Sequence, residues 1–206
     1  IRAFGREGSR FLVGPQGLDR REVIEELEAA AREGVPVALI GASFGFVHLL
    51  DGLAEAQIAI PCAPGSRTMD AGGYKGRSRE LTRAELDCAI EAQLGIPPER
   101  ALNLLGMTEL ATQFYDSVLV DGLALPRRKQ NPPWTRTCVV SPETLAPLPD
   151  GEVGLLMHVD LANIERPAFI RSDDLGVKDE RGFEVLGRAS GADSRGCSLS
   201  VEELLA

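Results

Sequence analysis

Val35-Pro36-Val37-Ala38-Leu39-Ile40, followed by Gly41-Ala42-Ser43-Phe44-Gly45 and Phe46 to Ala56, decides the fold class. The first six residues form a short apolar run of strand type. Gly41 to Gly45 is a tight turn rich in small residues, and the third segment carries apolar residues at helical spacing. Strand, turn and helix in that order are the repeating unit of α/β proteins. The unit has a helix in front of it. Asp19 to Glu33 places Val23, Ile24, Leu27, Ala30 and Ala31 on one face, with Asp19 as N-cap and Gly34 as the glycine that ends it. It is then repeated. Thr68-Met69-Asp70 ends a strand, Gly72-Gly73-Tyr74-Lys75-Gly76 turns, and Thr82 with Glu85 three residues on forms a capping box for a helix running to about Leu94. Ala101 to Leu105 is a third strand, leading into Gly106-Met107-Thr108-Glu109.

From Pro126 the pattern changes. Six prolines fall between Pro126 and Pro149, and helical periodicity gives way to short β-type runs: Thr137 to Val140, Gly154 to Val159, Ala168 to Ile170 and Phe183 to Leu186. The expectation is an α/β, βαβ-type part over residues 1–122 and a β-rich part over 123–206.

The 22 basic and 31 acidic residues give a net charge of -9, which argues against a nucleic-acid partner. No apolar run reaches the roughly 20 residues of a membrane-spanning helix. Four widely separated cysteines, Cys62, Cys88, Cys138 and Cys197, form no CxxC pair, so a reducing cytoplasm is expected.

Two chemical readings compete. Gly41-Ala42-Ser43-Phe44-Gly45 fits the G-x-S-x-G nucleophile elbow, and Asp116 or Asp121 followed by His158 would supply the chain order of a serine hydrolase triad. The alternative for 41–45 is a plain βα turn whose glycines serve the backbone. The second reading is an ordered set spread along the chain. Gly72 and Gly73 follow a strand where a flat ring or phosphate can approach the backbone. Thr108 and Glu109 pair a hydroxyl for a phosphate oxygen with a carboxylate for Mg²⁺. Asp173 and Asp174 stand at an expected strand end, where one carboxylate could hold both ribose hydroxyls; a solvated turn before Gly176 is the plainer alternative.

Gly106-Met107-Thr108-Glu109 resembles the Y-G-x-T-E motif of adenylate-forming enzymes, Ser172-Asp173-Asp174 their T-G-D, and Gly187-Arg188 their G-R motif. Residues 41–51, 70–76 and 106–116, together with Arg195-Gly196-Cys197-Ser198, are similar to the acyl-protein synthetases of bacterial luminescence operons and their relatives. The resemblance implies part of the large domain of an adenylate-forming enzyme, and a chain corresponding to the C-terminal portion of a longer one. It implies ATP and Mg²⁺ as cofactors, a fatty acid or other carboxylic acid as substrate, and an acyl-accepting partner protein such as a reductase. By the family pattern, Cys197 takes the acyl group, with Arg195 favouring its thiolate. Gly72, Gly73 and Tyr74 line the adenine pocket, Thr108 and Glu109 address phosphate and Mg²⁺ with Glu109 serving the metal, Asp174 holds the ribose, and Lys75, Gly106, Met107 and Arg188 complete the nucleotide site. An inactive acyl- or nucleotide-binding module is a further alternative.

Two positions depart from the pattern, and one loop is missing. Leu105 stands where an aromatic is expected, and Ala189-Ser190-Gly191 replaces the acidic hinge of the CoA-forming relatives. The Ser/Thr/Gly-rich loop that wraps the ATP phosphates is absent between Ile1 and Ala206, so little or no adenylation by this stretch alone is expected.

Overall fold

The computed structural model describes residues 5–14, 17–74 and 78–189. The first elements are a small antiparallel pair, β1 (Val13–Gly14) and β2 (Gly17–Leu18), and helix α1 (Arg20–Glu33). Both ends of α1 are set by single residues: the Asp19 side chain accepts from the Glu22 amide, and Gly34 adopts the left-handed conformation (φ 67°) that closes the last turn.

Two βαβ units follow: β3 (Ala38–Ala42), α2 (Ser43–Glu55), β4 (Arg67–Ala71), α3 (Arg83–Leu94) and β5 (Ala101–Leu105). Strands β3, β4 and β5 are parallel, and β6 (Phe114–Tyr115) joins the far side of β5 antiparallel. Strand β3 begins three residues later than the apolar run predicts and takes in Gly41 and Ala42. Those two residues pair with Asp70 and Ala71, whereas Pro36, which has no N–H, stays outside the ladder. Helix α2 likewise starts at Ser43, not Phe46, with Ala42 as an N-cap that makes no side-chain bond. The capping box on α3 is present in both directions between Thr82 and Glu85.

One hydrophobic core lies between this sheet and its helices. Val23 and Leu27 of α1, Phe46, Leu49, Leu50 and Leu53 of α2, and Leu86, Ile90 and Leu94 of α3 close over Ala101. Each helix thus buries one face at the i, i+3/i+4 spacing visible in its sequence.

After the short helix α4 (Val118–Asp121), an antiparallel meander makes a second four-stranded sheet: β7 (Thr135–Val140), β8 (Gly154–Asp160), β9 (Phe169–Asp179) and β10 (Gly182–Arg188). Strand β9 is far longer than the Ala168–Ile170 run, because Ser172-Asp173-Asp174 continue the strand and do not end it. The expectation of a strand end at Asp173–Asp174, and its turn alternative, are both corrected. The polar triplet hides the strand from a hydrophobicity reading; the register with β8 skips it, and β10 carries the strand through by pairing Arg188 with Asp174.

The two sheets meet at Lys129. Its amide donates to the Phe183 carbonyl (2.7 Å) and its carbonyl accepts from the Phe183 amide (3.2 Å), while the Gln130 amide next to it donates to Tyr115 O (2.9 Å). A Cβ on Gly182, at φ +140°, would run into the Lys129 carbonyl, so glycine there lets the two backbones close. A second apolar cluster of Leu110, Phe114, Val139, Leu156 and Phe183 fills the space between the sheets.

Candidate active site

The glycine-rich turns leave the parallel sheet side by side. Ala71 of β4 pairs with Leu104 of β5, so Gly72-Gly73 and Gly106-Met107-Thr108-Glu109 emerge from adjacent strands at their C-terminal ends. That end of an open α/β sheet is where ligands bind, because the loops there diverge and expose backbone groups. Gly72 has φ +73°, a left-handed conformation that favours glycine, and both Gly72 and Gly73 are exposed with open space where a side chain would stand. Tyr74 is half-buried beside them; burial, and after it the Asp70 carboxylate, push its phenol above the ordinary range.

Thr108 and Glu109 are exposed at the top of the second turn. Their carbonyls point the other way: Arg166 donates to Thr108 O (3.0 Å) and Asn163 to Glu109 O (2.8 Å). Met107 turns its side chain into the second apolar cluster. Asp174 and Arg188 are brought together on the other sheet, as paired positions on β9 and β10 with Arg188 Nε 3.5 Å from Asp174 Oδ1. Burial raises the Asp174 carboxyl above its usual value, against the pull of Arg188. Lys75, Arg195 and Cys197 lie outside the described residues.

The hydrolase triad is overturned. Ser43 is 3% exposed, and its hydroxyl shares one proton among Asp70 Oδ2 (2.8 Å), Gly72 O (2.9 Å) and Ala71 O (3.3 Å), all acceptors. None of these partners is an imidazole, so the triad's histidine is missing from the serine. His158 is fully buried, stacked near Phe114 and Phe183, with Nδ1 on the Thr137 hydroxyl at 3.0 Å. Burial depresses its pKa to about 4, which keeps it neutral and packed. Asp116 serves Arg127 and the Asn103 amide, and Asp121 is exposed on α4.

Sequence reasoning missed a buried ionic cluster beneath the turns. Asp70, Asp87 and Asp116 are matched by Arg83, Arg127 and Lys129. Arg83 bridges Asp70 and Asp87. Arg127 reaches Asp87 (2.6 Å) and Asp116 (3.3 Å) and also donates to the carbonyls of Ala101 and Pro98. Lys129 Nζ donates to Asn103 Oδ1 (2.6 Å) and Asn103 O (3.1 Å), and the Asn103 amide group donates to Asp70 Oδ2 (2.9 Å). A polar chain therefore runs Ser43–Asp70–Asn103–Lys129 across the strands and into the junction. Burial lowers the Lys129 pKa to about 8. The one signal available in sequence was Arg127-Arg128-Lys129, a basic run in an otherwise acidic chain.

Among solved structures, the architecture is that of the adenylate-forming enzymes. ATP-bound MatB from Rhodopseudomonas palustris matches at a TM-score of 0.55 and 18% identity, over 84% of this chain and 33% of MatB. The O-succinylbenzoate coenzyme A synthetase MenE from Bacillus subtilis, solved with ATP and magnesium, matches at 0.56 and 18%, over 88% of this chain and 37% of MenE. A long-chain-fatty-acid-CoA ligase from Archaeoglobus fulgidus matches at 0.56 and 14% identity, over 84% of this chain and 38% of that one. These define the fold class. The particular family follows from sequence: residues 12–206 match the model for acyl-protein synthetase, LuxE, and the chain belongs to that family. Curated relatives are the long-chain-fatty-acid–luciferin-component ligases of Aliivibrio fischeri (27% identical, 96% of this chain and 53% of that protein) and Vibrio harveyi (25%, 94% and 52%). The chain thus spans about half the length of the curated relatives it matches.

Proposed function

We propose that this chain supplies the C-terminal part of an acyl-protein synthetase, a ligase that activates a fatty acid with ATP and passes it through a cysteine thioester to a partner protein. What carries the reading is the emergence of two exposed motif turns, Gly72-Gly73 and Thr108-Glu109, from adjacent parallel strands at their C-terminal ends. Family membership and the names of the curated ligases support it.

The residues present fit a magnesium nucleotide. Mg²⁺ takes one or two carboxylates and leaves its other positions to phosphates and water. A single exposed carboxylate, Glu109, beside an exposed hydroxyl, Thr108, is that donor set. Bound there, the ion would neutralise phosphate charge as the acid attacks. Gly72 and Gly73 would let the adenine ring lie against bare backbone, with Tyr74 at its edge. Gly106 would extend that wall, Lys75 would offer a cation, and Asp174, held by Arg188, would accept from the ribose hydroxyls. A carboxylate oxygen of the acid attacks the α-phosphorus and pyrophosphate leaves. The Cys197 thiolate, its proton already lost and its charge favoured by Arg195, then attacks the acyl carbon and AMP leaves. Splitting the transfer in two lowers each barrier. The acyl acceptor after Cys197 is a second protein such as a reductase. Wrapping of the phosphates is assigned to residues outside Ile1–Ala206.

Among the described residues, no helix is long and apolar enough to cross a membrane. We assign the chain to the cytoplasm on its dispersed, free thiols. The test uses the protein expressed with any sequence its gene places before Ile1. Radiolabelled fatty acid should label it covalently only when ATP and Mg²⁺ are present, and Cys197→Ser should abolish the label. Full labelling of Cys197→Ser would remove the thioester step. Labelling of Ser43 by a fluorophosphonate would bring back the esterase.

A further inference from the structure

The turn carrying Thr108 and Glu109 belongs to neither a helix nor a strand. Between the end of β5 and the start of β6, a bond from Leu110 N to Met107 O (3.1 Å) closes the turn itself. Its other anchors come from side chains at the far end of β8, in the other sheet. Asp160, the last residue of β8, is fully buried. Its carboxylate accepts from Thr112 N (2.8 Å), Thr112 Oγ1 (2.9 Å) and Ala162 N (3.0 Å). Asn163 uses both ends of its amide. Oδ1 accepts from Ala111 N (2.8 Å), while Nδ2 donates to Glu109 O (2.8 Å) and Pro167 O (3.0 Å). Arg166 donates to Thr108 O, and the Trp134 indole N–H to Thr112 Oγ1 (3.0 Å).

We infer that Asp160 and Asn163 are positioning residues for the Thr108–Glu109 turn. They hold the backbone of residues 109, 111 and 112 from below so that the two side chains face the metal and the phosphates. The inference rests on the proposed role of Glu109. Its physical basis is the use of a fully buried carboxylate, and of an amide with both ends engaged, on one irregular turn. Charge-assisted bonds to backbone N–H groups are strong and directional. A site group held this way stays within the fraction of an ångström that binding geometry requires.

Loss of such support typically costs 10- to 100-fold in metal affinity or activity. The test again uses the protein with any sequence its gene supplies before Ile1. Titration calorimetry of Mg·ATP binding should show Asn163→Ala and Glu109→Gln each weakening affinity about tenfold or more, and the double variant little weaker than Glu109→Gln alone. Amide hydrogen exchange without nucleotide should show Ala111 losing protection in Asn163→Ala. Additive losses in the double variant would overturn the inference, because a merely structural role lowers affinity independently of Glu109. Unchanged affinity in Glu109→Gln would remove the site reading and the inference with it. Unchanged affinity in Asn163→Ala with Glu109→Gln impaired removes the inference alone. Should the alanine variant fail to fold, Asn163→Asp retains the acceptor for Ala111 and removes the donor to the Glu109 and Pro167 carbonyls. The same Mg·ATP titration then decides, with weakened binding expected and unchanged binding overturning.

Discussion

The ionic cluster beneath the parallel sheet's turns and the His158 site in the antiparallel sheet handle buried polarity in opposite ways. Beneath the turns of the parallel sheet, three carboxylates face three cations in one cluster that crosses α3, β4, β5 and the Arg127–Lys129 segment. In the antiparallel sheet a single imidazole, His158, is buried neutral among aromatic rings, with one hydroxyl partner. The first arrangement keeps its charges and depends on every partner being present. The second leaves the imidazole uncharged, two residues from the buried Asp160 carboxylate, and depends on the proton staying off. The two should therefore fail under different insults: the cluster when a partner is deleted, the imidazole when the medium turns acidic.

The largest effect should come from deleting the most connected cation. Arg127→Ala leaves Asp87 to Arg83 and Asp116 to the Asn103 backbone amide, and takes that donor from the carbonyls of Ala101 and Pro98. Breaking a buried pair from one side costs about 3–5 kcal/mol, to be read as a drop in the denaturant midpoint with unchanged slope. A loss under 1 kcal/mol would mean that water reaches the cluster and that it behaves like a surface network.

The acid arm of the comparison comes next. The folded His158 titrates at about 4 against an ordinary 6.5, so the unfolded chain binds the proton first as pH falls. Stability is complete above about pH 6.5 and is lost progressively towards pH 4. His158→Leu should flatten that part of the profile. At the alkaline end Lys129, lowered to about 8 from 10.5, makes stability rise between those pH values, since only the unfolded chain still holds the proton there. Lys129→Met should remove that rise. If both profiles are flat in the parent chain, the burial argument fails for both residues.

What could be read from the sequence follows the same division. Local devices were legible: Asp19 and Gly34 at the ends of α1, the Thr82–Glu85 box, and β5, because each is decided by residues within a few positions of one another. The motif turns were legible because glycines cluster only where the backbone needs them. The full length of β9 was not, because Ser172-Asp173-Asp174 looks like a turn; the register with β8 skips the triplet, and β10 carries the strand through it by pairing Arg188 with Asp174. The ionic cluster was invisible for a stronger reason. Residues 70, 83, 87, 116, 127 and 129 are each ordinary surface charges by composition, and they meet only when α3, β4 and the Arg127–Lys129 segment pack together. The nucleophile alternative at Ser43 fails because a motif defined by small residues also fits a plain strand-to-helix junction, here with the hydroxyl bound to Asp70 and Gly72. The Asp160–Asn163 clamp was missed in the same way, since it joins residues about fifty positions apart.

The smallest predicted effect tests whether Ser43 is the link between the cluster and the Gly72–Gly73 turn. Its hydroxyl reaches both Asp70 and the Gly72 carbonyl, so it joins the buried charges to the exposed backbone by one proton. Ser43→Ala removes that bond while leaving Asp70 its contacts with Arg83 and Asn103. The stability loss should be about 1.5–3 kcal/mol, the net worth of a hydrogen bond to a charged group. Ser43→Cys should not restore it, because a thiol donates weakly. The sharper readout is local: hydrogen exchange around Gly72 and Gly73 should quicken in Ser43→Ala while the amides of β5 keep their protection. If exchange quickens equally in β5, the cluster and the turn open as one unit, and the contrast between a rigid charged base and an independently held turn is lost.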